Sequence, residues 1–427
     1  MPYWACDGGV DKLRVLYIHM IGAFGGASRS LLEAVRSFPH GEVESLFVTP
    51  KGSAAEKFRG IASDVIEVRG MSQFDNTHYS HYQGLRWIVL LRELLYLPFT
   101  VIGLLRARRR WGHVDLIHVN EFTGVFPLMI ARKLFRAPVV IHVRSLARQD
   151  EGSSVTRWIN RLLSEQAEVV IAIDENVRAS LPTSLEVQVI HNSFSVAEEE
   201  CDTRLLEVIR RLRTESFKVG FVGNLLRVKG LFELVEAAHI LRREGLDIEY
   251  LVVGDDAHRR GVMRKWILGK LGLGQDIKEE LLEMIHQYQL TECFHFSGFT
   301  QDIRSAYKTI DVLCFPSHFD APGRPIFEAA FLSVPSIAAV RNPRADTLVD
   351  GDTGLAVSPN DPGQLAAAIR SLAMDRKKCQ QLGKNAYELA QKNFDTVTNA
   401  SHLLRVYRSC IKGMEARTDH GQKTKDA

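Results

Sequence analysis

The feature that most constrains this chain is a rhythm that stops and starts again. Short runs rich in Val and Ile alternate with stretches of helical periodicity. In the first half the strand-like runs are 14–19 (RVLYIH), 44–48, 115–119 (DLIHV), 139–143 (VVIHV), 169–173 (VVIAI) and 187–190. After a charged break at 195–216, with an acidic run at 198–200, the pattern resumes at 218–222 (KVGFV), 249–253 (EYLVV), 293–296, 312–315 (VLCF) and 336–339 (SIAA). Near-continuous apolar strands separated by helices call for parallel sheets covered on both faces. The expected fold class is therefore α/β: two doubly wound parallel-sheet lobes, with ligands expected in the cleft between them, at the carboxyl ends of the strands. The expected organisation is a first lobe over 12–195, a connector over 196–216 that includes one surface helix, a second lobe over 217–394, a helix over 395–412 and a polar tail over 413–427.

Composition closes off other classes. The 427 residues carry 54 Lys and Arg against 51 Asp and Glu, a net charge of +3, with 45% hydrophobic and 25% charged residues. That is an ordinary globular balance, which excludes disorder, collagen and a coiled-coil rod. A charge so near neutrality gives no whole-chain signature of a nucleic-acid partner. Cys6, Cys201, Cys293, Cys314, Cys379 and Cys410 are never closer than 21 residues, so no CxxC pair supports a zinc cage or a disulfide framework. Isolated thiols fit a reducing, cytoplasmic setting. The first eleven residues hold two acids and no long apolar run, unlike a signal peptide. The longest uncharged apolar run, 94–105, has 12 residues interrupted by Pro98 and Gly103. Spanning a bilayer takes roughly 18–20.

Two basic-apolar stretches raise a different relation to membranes. Residues 84–111 mix Trp, Leu, Ile and Phe with six arginines, and 259–273 (RRGVMRKWILGKLGL) has the same character. Such a mixture suits a helix lying in a bilayer interface. For 84–111 the favoured reading is a core helix of the first lobe that ends in solvated arginines.

Three loops can carry chemistry. After the first strand-like run come Gly22, Gly25 and Gly26, then Ser28 and an apolar helix. Glycines between a strand and a helix let backbone N–H groups approach an anion; they also serve plain tight packing. After KVGFV stands Gly223-Asn224-Leu225-Leu226-Arg227-Val228-Lys229-Gly230, feeding a helix with apolar residues at 231, 234, 235, 238 and 241. Arg227 and Lys229 thus flank a strand end and a helix start, where a diphosphate would meet cations and the helix dipole. A solvated basic loop is the bland alternative. After VLCF stands Pro316-Ser317-His318-Phe319-Asp320-Ala321-Pro322-Gly323-Arg324, with Glu328 in the first turns of the next helix. Backbone N–H groups at Gly323 and Arg324 can hold an oxygen-rich ligand, and a carboxylate one turn deeper can accept two hydroxyls of a ribose diol. A glutamate complementing the helix dipole would look the same.

The order Gly25-Gly26, Lys229-Gly230, Asp320-x7-Glu328 and Asp346-x3-Asp350-Gly351-x2-Gly354 resembles the family-4 retaining glycosyltransferases of GT-B fold, glycosyl transferases group 1. Lesser landmarks agree: Asp115-x2-His118, Val189-Ile190-His191-Asn192, Val253-Gly254-Asp255 and Ser297-Gly298-Phe299. The similarity runs from about Leu13 to Phe394. It implies two Rossmann-like lobes, the first receiving the acceptor and the second the nucleotide-diphosphate sugar, with a final helix, 399–411, crossing back to the first. By the resemblance Lys229 would hold the donor diphosphate, Glu328 the ribose, and Asp320 the donor sugar. Gly323 and Arg324 would offer amides to sugar or phosphate, and the Gly298-Phe299 loop would lie near the base.

Three positions depart from the family pattern. Asn224 stands where a phosphate-binding arginine is usual, with Arg227 as the nearest substitute. Asp320 is one methylene shorter than the usual glutamate. The histidine common near the reaction centre aligns with Arg144, and His142 lies two residues earlier on the same strand face. His142 reads either as a catalytic neighbour or as a satisfied buried histidine. No metal-ligand cluster accompanies these residues, and Asp255-Asp256 stands apart on another loop, so the expected transfer uses no metal or other cofactor. The expected activity is retaining transfer of a sugar to a glycan or lipid-linked acceptor of cell-surface polysaccharide or glycolipid type. The expected place is the cytoplasm, peripheral on the cytosolic membrane face. A non-catalytic nucleotide-sugar-binding protein and a nucleotide-sugar epimerase on the same fold are the alternatives. A nucleic-acid module is disfavoured, because the basic patches lie on apolar helices rather than among exposed stacking aromatics.

Overall fold

The computed structural model describes residues 12–78, 88–150, 152–194, 201–255 and 277–423. The stretch 259–273, residues 84–87, Cys6 and the acidic run at 198–200 therefore lie outside the described residues. The chain forms two compact units: one joins the chain up to Phe194 with the chain from Phe394 onward, and the other is the segment between.

The first unit runs β1 (Leu13–Ile18), α1 (Gly26–Arg36), β2 (Val43–Pro50), α2 (Ser53–Arg59), β3 (Asp64–Val68), α3 (Ile88–Trp111), β4 (Leu116–Val119), α4 (Val125–Phe135), β5 (Val139–Val143), α5 (Ser154–Gln166), β6 (Val169–Ala172), α6 (Glu175–Ser180) and β7 (Val187–Val189). Its seven strands are ordered β3-β2-β1-β4-β5-β6-β7, and every described pair in it is parallel. The second unit runs α7 (Thr203–Ile209), β8 (Phe217–Val222), a 3-10 turn (Arg227–Lys229), α8 (Leu231–Arg243), β9 (Ile248–Val253), α9 (Lys278–Gln287), β10 (Phe294–Gly298), α10 (Ile303–Thr309), β11 (Val312–Phe315), α11 (Arg324–Ala330), β12 (Ser336–Ala339), β13 (Gly354–Val357), α12 (Pro362–Met374) and α13 (Arg376–Phe394). Its six strands follow the same parallel order, β10-β9-β8-β11-β12-β13. Each sheet reverses direction of growth beside its first strand. That opens a crevice at the carboxyl ends of β1 and β4 in one unit and of β8 and β11 in the other, the place where open α/β sheets take ligands.

Alternation along the strands sorts their side chains onto two covered faces. In the first unit Leu16 and Ile18 join Val48, Ile117 and Val119 on one face. Val15 and Tyr17 join Phe47, Leu116 and Val140 on the other. That second face is closed partly by α14 (Thr396–Lys423), whose Leu403, Val406, Tyr407 and Cys410 pack into it. Helix α14 continues past Lys412, so the polar composition there accompanies helix rather than coil. In the second unit Phe217, Val219 and Phe221 of β8 pack with Leu231, Leu234 and Val235 of α8 around one large core. Within the connector, α7 packs on β10 and α10 of the second unit.

Helix α3 buries Thr100, Leu104, Ala107 and Trp111 against the first sheet. This part of 84–111 is a core helix. Its sole acid, Glu93, is turned inward at 2% exposure and accepts the Gln73 N–H at 3.0 Å.

Candidate functional site

In the second unit, the loops after β8 and β11 are stitched together. The N–H of His318 donates to the Val228 carbonyl at 2.9 Å, and the imidazole Nε2 of His318 meets Glu233 Oε1 at 2.9 Å. Gly230 sits at φ +80, and a Cβ there would lie 1.9 Å from the Pro316 carbonyl oxygen. Only glycine can take that backbone at that distance. The motif glycine is thus what lets the two loops touch.

Lys229 is carried by this junction. Its ammonium lies 5.0 Å from the Phe319 ring centre and 5.5 Å from that of Phe315, two cation–π contacts. Burial lowers its pKa from the ordinary lysine value. Among the described residues it makes no ion pair. Arg227 is placed differently: it pairs with Glu280 and lies 4.1 Å over the Phe232 ring. Both side chains of that ion pair are about half exposed, where such pairs are weak, and Asn224 is exposed. Phe299 follows Gly298 at the end of β10 with 64% of its surface exposed. Gly298 receives the Gly254 N–H at 2.9 Å, which ties the loops after β9 and β10 together.

The acidic pair is split. Glu328 is 3% exposed, and its two oxygens accept from the Tyr307 hydroxyl at 3.0 Å and from Arg324 Nε at 2.5 Å. Asp320 adopts φ +49 and binds Arg341 twice, at the main-chain N–H and the guanidinium, both 2.7 Å. Gly323 caps α11, so the amides of Gly323 and Arg324 begin that helix as the spacing predicts. Tyr307 and Arg341 are the partners that sequence reasoning missed. Both come from elements without a motif, so only the fold could supply them.

In the first unit, the glycine-rich turn after β1 separates two uses of glycine. A Cβ on Gly22 would meet the Lys51 carbonyl oxygen at 2.5 Å, so that residue serves packing. Around a Cβ on Gly25 or Gly26 nothing lies within 4 Å. Neither has positive φ. Their missing side chains leave open space in front of a helix start.

A buried polar chain runs from that turn across the sheet. Asn120 Nδ2 donates to His19 Nδ1 at 2.9 Å, which places the ring proton on Nε2 for donation to Ser28 Oγ at 3.0 Å. Asn120 Oδ1 accepts from Arg144 Nε at 2.5 Å, and Arg144 Nη1 donates to Asn192 Oδ1 at 2.6 Å. Arg144 Nη2 also reaches His142 Nδ1 at 3.3 Å. Arg144 and His142 thus share a strand face and touch. His142 is 3% exposed, and its pKa is pushed well below the ordinary value by burial, then by the Arg144 charge and His118. His19 is pushed down to about 3 by burial and Arg144. The imidazoles are neutral, and Arg144 is the cation of this face. His118 Nδ1 completes the cluster with the Tyr407 hydroxyl of α14 at 2.7 Å.

Beside Arg144 lies Glu121, 8% exposed at φ +134. Its carboxylate accepts from Ser145 Oγ at 2.8 Å and the Phe122 N–H at 3.0 Å. Burial raises its pKa to about 7 against these bonds and the Arg144 charge. A strained, titratable carboxyl at a strand end marks functional ground more often than core. The run 120–121 carried no motif in the sequence. Among the described residues no group of three or more His, Cys, Asp or Glu is arranged to hold a metal ion.

Comparison with known proteins places both units. The model of the glycosyl transferase 4-like domain matches residues 25–192, and that of glycosyl transferases group 1 matches 204–389. A glycogen synthase of Mycobacterium tuberculosis is 22% identical over 323 residues, 71% of each chain. The capsular polysaccharide biosynthesis glycosyltransferase CapM of Staphylococcus aureus is 24% identical over 258 residues, 58% of this chain and 63% of its own. The structure of Anabaena Alr3699/HepE in complex with UDP and glucose superposes with a TM-score of 0.70 at 21% identity, covering 93% of this chain and 100% of that one. Between them the two family models span most of the sequence, and each sheet has the strand order of a Rossmann-like lobe: the chain belongs to the group 1 glycosyltransferases of GT-B fold.

Proposed function

We propose that the chain is a retaining, metal-independent glycosyltransferase. It takes a nucleotide-diphosphate sugar on the second unit and transfers the sugar to a glycan or lipid-linked acceptor received by the first, on the cytosolic face of a membrane. The observation that carries this reading is Lys229: a partly desolvated ammonium at a helix start, without an ion pair among the described residues. Desolvating a cation is costly unless an anion answers it. A diphosphate at the start of α8 would do so, and the same charge would stabilise the negative charge growing on the leaving group.

In this mechanism the bond from the anomeric carbon to the diphosphate oxygen breaks while the acceptor oxygen bonds to that carbon on the same face. The acceptor's proton passes to the departing phosphate oxygen, so no protein base is consumed. The retained lone pairs of Glu328 would accept ribose hydroxyls, with Tyr307 and Arg324 fixing its orientation. Arg144, held by Asn120 and Asn192, would present a fixed positive charge on the acceptor side. A polysaccharide acceptor is supported by the name of the CapM relative.

One observation favours the rival of a binder without turnover. Arg227 is turned to Glu280 in a surface ion pair, so it would join Lys229 on a diphosphate only by opening that pair. Calorimetry against UDP, GDP, ADP and dTDP tests the donor site, and product analysis with the bound nucleotide's sugars then tests turnover. The expected outcome is binding of one nucleotide class and sugar transfer. Binding without transfer to any glycan or lipid-linked acceptor supports the binder; no binding overturns the donor site.

A further inference from the structure

We propose that the outer face of α3 is a docking surface for a bilayer with anionic headgroups, on which the helix lies flat. At about 100° per residue, Leu91, Leu94, Leu95, Pro98, Ile102 and Leu105 fall within one third of the helix circumference. The five large side chains are exposed: Leu91 by 59%, Leu94 by 54%, Leu95 by 63%, Ile102 by 45% and Leu105 by 40%. The stripe extends about 21 Å along the axis. Soluble surfaces scatter such residues singly and do not align them. The opposite face of the same helix is core, so over 94–105 α3 carries no charge on either face although only one side of it is covered.

The charges select the occupant. Arg106 and Arg109 continue the exposed stripe beyond Leu105 and make no ion pair among the described residues. Arg108 and Arg110 flank them, Arg108 bonding the Gly112 carbonyl and Arg110 pairing with Asp64. The helix's one acid, Glu93, is buried on the other side. Two copies of this face laid together, parallel or antiparallel, would offer no carboxylate to the arginines. Anionic headgroups supply that charge while the leucines enter the acyl boundary and the arginine stems lie along it. Among the described residues no helix is long and apolar enough to cross a membrane, so the contact is in the plane of the interface.

This surface extends the reading of a lipid-linked acceptor, but its test needs neither donor nor acceptor. The full chain is floated with vesicles of phosphatidylcholine alone and with a third of phosphatidylglycerol, at low and high salt. The unmodified protein should bind the anionic vesicles and be released by salt. R106Q/R109Q should weaken that binding about thirtyfold, at roughly one tenfold step or less per arginine. L91S/L94S/L95S should weaken it at least as much, with thermal melting lowered only modestly, since more than half of each side chain is exposed. Failure of the unmodified protein to bind, or binding by both variants as by the parent, overturns the proposal. So does a dimer in sedimentation that the leucine variant converts to monomer without vesicle binding, which assigns the face to a second copy. Nucleotide titration of the same preparations keeps a failed surface distinct from a failed donor site.

Discussion

Tyr307 and Glu328 share a hydrogen bond of 3.0 Å inside the second unit, and Arg324 closes on the other carboxylate oxygen. The carboxylate is therefore a structural ion as well as a candidate ribose acceptor. Removing it as Glu328→Ala breaks an ion pair in which both side chains are largely buried, at a cost of about 3 kcal/mol. Lost nucleotide binding in that variant would report unfolding as readily as a lost contact. Tyr307→Phe is the finer probe. It removes one donor to a charged acceptor, costs about 1.5–3 kcal/mol in denaturation, and releases the carboxylate's orientation. Nucleotide affinity should fall at a temperature where circular dichroism shows the fold intact; unchanged affinity would take Glu328 out of the ribose site.

Lys229→Ala should weaken nucleotide-diphosphate binding by about 1.5–3 kcal/mol, roughly 10- to 150-fold, as a charge-assisted contact is lost. Nucleoside binding without phosphates should change little. Because burial lowers the lysine's pKa, the alkaline loss of affinity should begin below the ordinary lysine range. Calorimetry across alkaline pH checks this, and an affinity that holds until ordinary lysines titrate would place the ammonium in water.

Gly230 and Gly26 should respond oppositely to alanine. At Gly230 the new Cβ would collide with the Pro316 carbonyl at positive φ, so Gly230→Ala should cost more than about 2 kcal/mol in urea unfolding. At Gly26, inside the first turn of α1 with open space around it, alanine should leave stability unchanged or raise it by up to about 1 kcal/mol. A fall in transfer rate with stability kept would show that the space is for a ligand. Full activity would reduce the turn to a connection.

Much of this architecture is legible in the sequence because buried parallel strands are apolar on both faces. Runs such as 139–143, 312–315 and 336–339 match their strands residue for residue. The missed strands are β3 and β13, both at sheet edges. There one side is open, so β3 carries Asp64 and Glu67, and β13 begins at a glycine. The loops bearing Lys229 and Glu328 were visible through their glycines. Their partners were not: Arg341 reaches Asp320 from after β12, and Asn120 and Asn192 reach Arg144 from other strand ends. Hydrogen bonds across 21 to 48 residues leave no local pattern to read. Arg227 shows the converse, since a cation placed well by spacing was claimed by Glu280, 53 residues away.

Glu121 should make the protein's stability depend on pH in an unusual direction. Its folded pKa, raised to about 7 chiefly by burial, lies above the value of 4.5 for a free glutamate. Between these two values the unfolded chain has released its proton while the folded chain keeps it. The folded state binds more protons there, so stability falls as pH rises through the window and levels off above it. The loss should be on the order of 3 kcal/mol. Glu121→Gln keeps an acceptor for the Phe122 N–H and cannot ionise, and Ser145 can turn its hydroxyl to accept from the new amide. Urea unfolding of both proteins at pH 5 and pH 8 should show the unmodified protein losing this stability relative to the variant. Equal changes in the two would mean that the carboxyl ionises as freely in the fold as in water, and that its position beside Arg144 carries no stored charge penalty.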